Sequence, residues 1–399
     1  MLVDFTVSNF GPFRDQVTLS MKTTGLKDDP PNIHHSEGSR MDLLTSVIVF
    51  GANASGKSYL IDAVQILQDV IGSVRTDSDH IPGYMPFRLS RETIDSPVNM
   101  RIRLMVDNIL YDYGISFDSK KITDEYLTYY PNGYPVKVFH RGDGSVDEKI
   151  ISNTTSTTSY LWMASGFNNT ACNITLKAIR GIHVVRGPAS LLATKSFGMA
   201  QDDPSIKDGM LSALYSADFG ITGFSGDLNK TRSNKDDEWP IQDVIDQRNI
   251  WLHHDFPSAD ADPHVLDFPL FIESDGTVDI FGMMGPILSA LRDGQTIMID
   301  EFGSHLHPML TRWIVGLFST KINDMGAQLV VNTHDLTLMD PELLRRDQIW
   351  FTNKNRLDGS SELYSLSDFK NVRKNSDFQK AYLYGRFDAV PMIIGRRSD

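Results

Sequence analysis

Apolar and polar positions follow two different rhythms along this chain. Between about Leu43 and Gly72 an unbroken apolar, β-branched run, Thr45–Phe50, leads into a glycine-rich turn. After the turn, apolar residues recur at Leu60, Ile61, Val64, Leu67 and Ile71. The run has the composition of a strand buried on both faces, and the later spacing puts five side chains on one face of a helix. From about Met100 to Lys149 the rhythm shortens to alternating runs such as Met100–Val106, Tyr111–Phe117 and Val136–Phe139. Turn signals at Pro131-Asn132-Gly133 and Arg141-Gly142-Asp143-Gly144 separate them, which predicts antiparallel strands.

From about Ser156 to His264 the pattern is mixed, with helices expected near Ile174–Ile179 and Lys207–Tyr215. The α/β rhythm returns from Thr277. Val278–Leu291 reads as a helix that tolerates Gly285-Pro286 as a kink, and Thr296–Asp300 as a buried strand. A helix is expected to start at Pro308 and carry Met309, Trp313, Ile314 and Phe318. Gln328–Val331, Ile349–Thr352 and Glu362–Leu366 read as strands, and Asp28–Pro31 and Ser233–Glu238 as exposed loops. The expected class is α/β, with a mixed sheet, an antiparallel β subdomain and a mainly helical insertion. The expected segments are 1–154, 155–268 and 269–399.

Composition narrows the function classes. A single cysteine, Cys172, excludes an internal disulfide framework and a cysteine-based zinc site. No apolar stretch reaches the roughly 18–20 residues of a membrane span. The opening MLVDFTVSNFGPF lacks the basic and apolar regions of a secretory signal, so a cytoplasmic location and no membrane partner are expected. The net charge of −13 argues against a surface that binds nucleic acid throughout, while a local basic groove stays open.

The turn after Thr45–Phe50 is Gly51-Ala52-Asn53-Ala54-Ser55-Gly56-Lys57-Ser58, which fits G-x-x-x-x-G-K-[ST] without a gap. Gly51 and Gly56 permit a tight fold in which successive N–H groups point inward as an anion nest. The helix that follows adds its positive end. Gly51, Asn53, Ala54, Ser55, Gly56, Lys57 and Ser58 are therefore the expected nucleotide-binding residues. Lys57 is expected to reach the β- and γ-phosphates of ATP, and Ser58 to ligate Mg²⁺. The strand before the motif and the amphipathic helix after it are the context this motif needs.

Thr296-Ile297-Met298-Ile299-Asp300-Glu301 delivers two acids at the carboxyl end of a strand, where open α/β sheets bind ligands. Asp300 is the expected second Mg²⁺ residue, and Glu301 the expected base for an attacking water. Ser274-Asp275-Gly276-Thr277 forms a small polar turn ahead of a helix, a second candidate anion site. His334, just past Gln328–Val331, is placed to contact a γ-phosphate at the same sheet edge. His305 with His307, and His253 with His254, have spacings that make poor zinc sites.

These elements, in this order, resemble the ABC-type ATPase head of the RecF-like and structural-maintenance-of-chromosomes proteins. Phe5–Phe13 resembles the opening strand of that head. More narrowly, the chain resembles AAA-type ATPases of the RloA/AbiL kind, related to OLD- and PARIS-type defence ATPases. The matching stretches are Pro86–Leu89, Ala217–Ile221, Glu273–Thr277, Asp300-Glu301 with Leu306-His307-Pro308, Arg345–Trp350 and Tyr382–Phe387.

The resemblance implies a homodimer or higher oligomer that sandwiches two ATPs. Ser274, Gly276 and Thr277 of one chain would meet the γ-phosphate held by Lys57 of the other. It also implies an ATPase that senses or regulates a separate effector protein in anti-phage defence. The tail after His334, with Asp368, Asp377 and Asp388 scattered, lacks the compact acidic cluster of a nuclease. The usual Q-loop glutamine has no counterpart, and Pro86–Leu89 stands in its place. A RecF-like DNA-maintenance ATPase, with nucleic acid as partner, is the alternative. A ring remodeller has no use for the S-x-G-T turn.

Overall fold

The computed structural model of the protein describes residues 1–26, 32–35, 41–76, 80–187, 189–217, 220–227, 249–256, 264–373 and 376–390. The loops expected at Asp28–Pro31 and Ser233–Glu238 lie outside the described residues, as do Asp218 and Phe219. The chain begins with β1 (Leu2–Ser8), β2 (Val17–Ser20), β3 (Ile33–His34), β4 (Leu43–Leu44), β5 (Ser46–Gly51) and helix α1 (Lys57–Ile71). A meander follows: β6 (Val98–Val106), β7 (Ile109–Phe117), β8 (Ile122–Tyr130) and β9 (Val136–His140). Next come α2 (Glu148–Ile151), α3 (Tyr160–Gly166), α4 (Thr170–Arg180), β10 (His183–Val185), α5 (Ala189–Asp202) and α6 (Pro204–Ser216). Strands β11 (Ile221–Gly226), β12 (Ile250–Phe256) and β13 (His264–Pro269) precede α7 (Asp275–Asp293) and β14 (Thr296–Ile299). The remainder is α8 (Pro308–Leu317), β15 (Gln328–Asn332), β16 (Ile349–Lys354), β17 (Ser361–Ser365) and α9 (Phe378–Leu383).

The expected α/β architecture is present, with the mixed sheet and the antiparallel subdomain in separate layers. The central sheet has the order β10-β14-β15-β5-β16-β17. It is parallel except for β17, which pairs antiparallel with β16. Alternate residues of its strands feed two cores, as the period of two demands. Ile48, Phe50, Ile297, Ile299, Leu329 and Val331 face the core under α5, α6, α7 and α8. Val47, Val49, Met298 and Val330 face the other core, with α1, α3, α4 and the antiparallel sheet. That sheet has the order β2-β1-β6-β7-β8-β9. Buried Gln328 ties the sheets together: its Nε2 donates to Leu2 O (2.9 Å) and Leu44 O (3.2 Å), and Oε1 accepts from Leu2 N (2.6 Å).

Segment 155–268 carries α3 to α6, and it also forms a three-stranded antiparallel sheet, β11-β12-β13, and the edge strand β10 of the central sheet. These strands were not anticipated from the sequence. Strand β10 is only three residues long, and Gly223 and Gly226 interrupt the pattern of β11. Helix α7 runs through Pro286, which has no N–H to offer the carbonyl of Gly282. The buried Ser196 hydroxyl of α5 donates to that carbonyl instead, at 2.5 Å. Met309, expected on the apolar face of α8, is 65% exposed, whereas Ile314 is buried.

Candidate functional site

Strand β5 delivers the chain into the glycine-rich turn with strained backbone where glycine allows it. Gly51 has φ +152°, and a Cβ there would lie 2.4 Å from Thr352 O on neighbouring β16. Gly56, at φ +105°, caps α1 directly ahead of Lys57. Ala54 takes φ +60° despite its Cβ. The loop is anchored by a buried hydrogen bond of 2.6 Å between the hydroxyls of Ser55 and Thr352. Lys57 donates through Nζ to Gly51 O (2.8 Å) and Ala52 O (3.0 Å). Burial pushes its ammonium down to about 8, against the opposing pull of Asp300 and Glu301.

Asp300 sits just past the carboxyl end of β14, held by its N–H on Val185 O of β10 at 3.1 Å. Its Oδ1 accepts from Ser58 Oγ (2.9 Å) and from Asn332 Nδ2 (2.6 Å). Its Oδ2 faces Arg186 Nε at 3.4 Å, and the same guanidinium pairs with Asp62, one helical turn beyond Ser58. Glu301 takes φ +52°, a left-handed conformation costly for a side chain with a Cβ. Its N–H donates to Asn332 Oδ1 at 2.7 Å, which holds it there. One asparagine thus orients both acids.

A cavity of about 340 Å³ joins Asn53, Lys57, Ser58, Glu301, Asn332 and His334. His334 is pushed below its ordinary value, first by burial and then by the Lys57 charge, with Glu301 opposing. Its imidazole is therefore neutral near pH 7.

Ser274, Gly276 and Thr277 do not line this cavity. Ser274 caps α7: its Oγ accepts from Thr277 N (3.2 Å) and shares a hydrogen bond with Thr277 Oγ1 (2.8 Å). Ser274 is exposed, whereas Thr277 is buried and turned onto Ser274. Gly276 passes close to the loop after Glu301, where a Cβ would lie 2.9 Å from His305 O. His305 pairs with Asp279 of α7 at 2.8 Å, which raises the imidazole above its ordinary value. Three further histidines have structural partners: His307 caps α8, His253 bonds Asp267, and His254 bonds Glu273.

A strand, a glycine-rich loop, a helix and a remote acid pair, whose Glu301 lines the loop's cavity, form the arrangement of a P-loop site. The profile of one protein family, described as "AAA domain, putative AbiEii toxin, Type IV TA system", matches residues 46–144 and 225–340, more than half of the chain. The chain belongs to this AAA family. Among solved structures, it is similar to the "SMC head domain from Thermotoga maritima" with TM-score 0.44 and 14% identity over 91% of this chain and 98% of that one. The "SmcHead bound to the C-winged helix domain of ScpA" is similar with TM-score 0.43 and 13% identity, over 91% and 97%. No curated protein matches the sequence. Among the described residues, no helix of this AAA-family chain is long and apolar enough to cross a membrane.

Four residues at the AAA site escaped the sequence reading: Asp62, Arg186, Asn332 and Thr352. Asn332 had a visible signal, a polar residue closing the buried strand β15. Arg186 and Thr352 had none, because only strand pairing brings the end of β10 beside Asp300 and β16 to the loop.

Proposed function

We propose that this AAA-family protein is an ABC-type ATPase that hydrolyses ATP with Mg²⁺. The observation that carries this reading is the 2.9 Å contact between Ser58 Oγ and Asp300 Oδ1 beside Lys57 and Glu301. Two oxygens of this kind suit a small hard cation. Ser58 and Asp300 would hold Mg²⁺, which would supply charge neutralisation for the bound phosphates. Lys57 exchanges its carbonyl partners for phosphate oxygens, and the N–H groups of Gly51–Lys57 hold the anion. Glu301 accepts the proton of the attacking water, with Asn332 fixing its backbone. Neutral His334 donates a hydrogen bond to the γ-phosphate.

Exposed Ser274 and the N-terminus of α7 lie outside the chain's own cavity, which supports their use on the nucleotide of a second copy. The closed sandwich dimer would then signal to a separate effector. The family description, which includes a putative toxin of a type IV system, supports a role in anti-phage defence of the RloA/AbiL kind.

The test is the solution mass of Glu301→Gln with and without ATP-Mg²⁺, repeated with Ser274→Arg added. An ATP-dependent increase that Ser274→Arg removes is expected. A mass indifferent to ATP overturns the sandwich. For the defence role, phage plating on the native host should rise when Lys57→Ala replaces the wild type. Equal plaque counts overturn that role and leave the ATPase reading intact.

A further inference from the structure

We propose that a second cavity beside the phosphate site receives the nucleoside of the bound nucleotide, and that it takes guanine as readily as adenine. The inference rests on the P-loop reading above and adds the specificity of that site. The cavity measures about 500 Å³ and is walled by Pro12, Tyr59, Pro86, Arg88, Leu89 and Lys354. Ala54 and Tyr59 line both this cavity and the phosphate cavity, so the two adjoin across the loop.

Its walls come from four remote segments locked by hydrogen bonds. Gly11 N donates to Met85 O (2.7 Å), Phe87 N to Asn9 Oδ1 (3.0 Å), and Ser361 N to Pro12 O (2.8 Å). Gly11, at φ +54°, passes against the Tyr59 ring, where a Cβ would lie 2.3 Å from Cδ1. Phe10 meets the same ring edge-on at 6.0 Å. Tyr59 nonetheless stays 38% exposed, so its ring is braced on one side and accessible on the other.

A braced aromatic ring between proline walls takes a flat heterocycle, and stacking of this kind tolerates any base. Selection must come from the base edge. Adenine is distinguished by its 6-amino donor, which needs an acceptor. Among the described residues, no carboxylate or amide side chain lines the cavity, and its charged side chains are the cations Arg88 and Lys354. A guanidinium matches O6 and N7 of guanine and meets N7 of adenine. Arg88 can therefore bond both purines, and the charged side chains of the pocket give adenine no advantage over guanine, while a pyrimidine lacks N7.

The experiment is displacement of a fluorescent ATP analogue from the full chain, with Mg²⁺, by ATP, GTP, CTP and inorganic tripolyphosphate. GTP should compete within about tenfold of ATP, and both should exceed tripolyphosphate by about tenfold or more. Arg88→Ala should weaken GTP several-fold and leave tripolyphosphate unchanged. A preference for ATP over GTP beyond about tenfold overturns the proposal. So does an Arg88→Ala loss shared equally by tripolyphosphate, which would make Arg88 a phosphate contact, or no effect of Arg88→Ala on GTP. Lys57→Ala separates the two readings. If all four ligands still bind that variant as they bind wild type, the P-loop reading itself has failed, whatever the base preference.

Discussion

The Ser58 hydroxyl donates to Oδ1 of Asp300 across 2.9 Å, although 242 positions separate the two in sequence. The contact joins the first turn of α1 to the end of β14, beside the cavity that Ser58 and Glu301 line.

Replacing either oxygen should uncouple metal from nucleotide. In wild type, ATP-Mg²⁺ at about a hundredfold over its Kd is expected to add about 2.7 kcal/mol of stability by mass action. Asp300→Asn should keep the smaller stabilisation seen with ATP and a chelator, and lose the increment from Mg²⁺. Thermal unfolding with each ligand set reads this directly. An unchanged Mg²⁺ increment would remove Asp300 from the metal site.

The His305–Asp279 pair ties α7 to the loop after Glu301 and should make that tie pH-dependent. The folded imidazole is raised above its unfolded value, chiefly by its hydrogen bond to Asp279. Its stabilisation is therefore fully present below the unfolded value of about 6.5 and is lost as pH rises through the folded one. His305 is more than half exposed, so the effect amounts to a few tenths of a kcal/mol. Urea titrations should show His305→Gln less stable than wild type near pH 5.5 and equal to it near pH 9. A gap of the same size at both pH values would show that the pair does not carry it.

Glu125 should be among the costliest single positions. Fully buried on β8, it accepts from Tyr113 OH (2.9 Å), Ser159 Oγ (2.9 Å), Tyr160 N (2.7 Å) and Leu161 N (2.9 Å). It thereby fastens the N-terminus of α3 to the antiparallel sheet, and burial raises its carboxyl above the ordinary range. Glu125→Ala strands those donors and should cost about 3–5 kcal/mol in denaturant unfolding. Glu125→Gln, which keeps an acceptor, should cost clearly less. Equal losses would mean that the carboxylate facing Arg141, which both variants lack, sets the cost rather than the retained shape and acceptor.

Helices α5 and α7 touch where neither tolerates added bulk. A Cβ on Gly285 would lie 2.6 Å from Ser196 Oγ and 2.8 Å from Ser196 Cα. Gly285→Ala should therefore cost about 1–3 kcal/mol by overpacking. Ser196→Ala should cost a similar amount by leaving Gly282 O without a donor. Because both changes act at one contact, the double variant should lose less than the sum. Strict additivity would show that the two helices do not bear on each other there.

Much of the site was legible because its parts are local. The Gly51–Ser58 turn, the apolar run before it and the helical spacing after it are each set by neighbours in sequence, and β5 and α1 form where those patterns place them. The acid pair was legible for the same reason, as polar residues ending a short buried strand. Strand β10 and the β11-β12-β13 sheet were not, since short strands interrupted by glycine carry too little periodicity to stand out.

The sequence by itself determined where backbone freedom, a lysine and a hydroxyl fall within eight consecutive positions, the pattern expected to cradle a phosphate. Only the tertiary structure decided their company. The placement of β15 between β5 and β14 brings Asn332 to both acids, while β10 brings Arg186 to Asp300 and β16 brings Thr352 to the loop. Strand order follows from how whole faces pack into two cores. Apolar runs that look alike in sequence do not state their neighbours, so those contacts exist only once the sheet has formed.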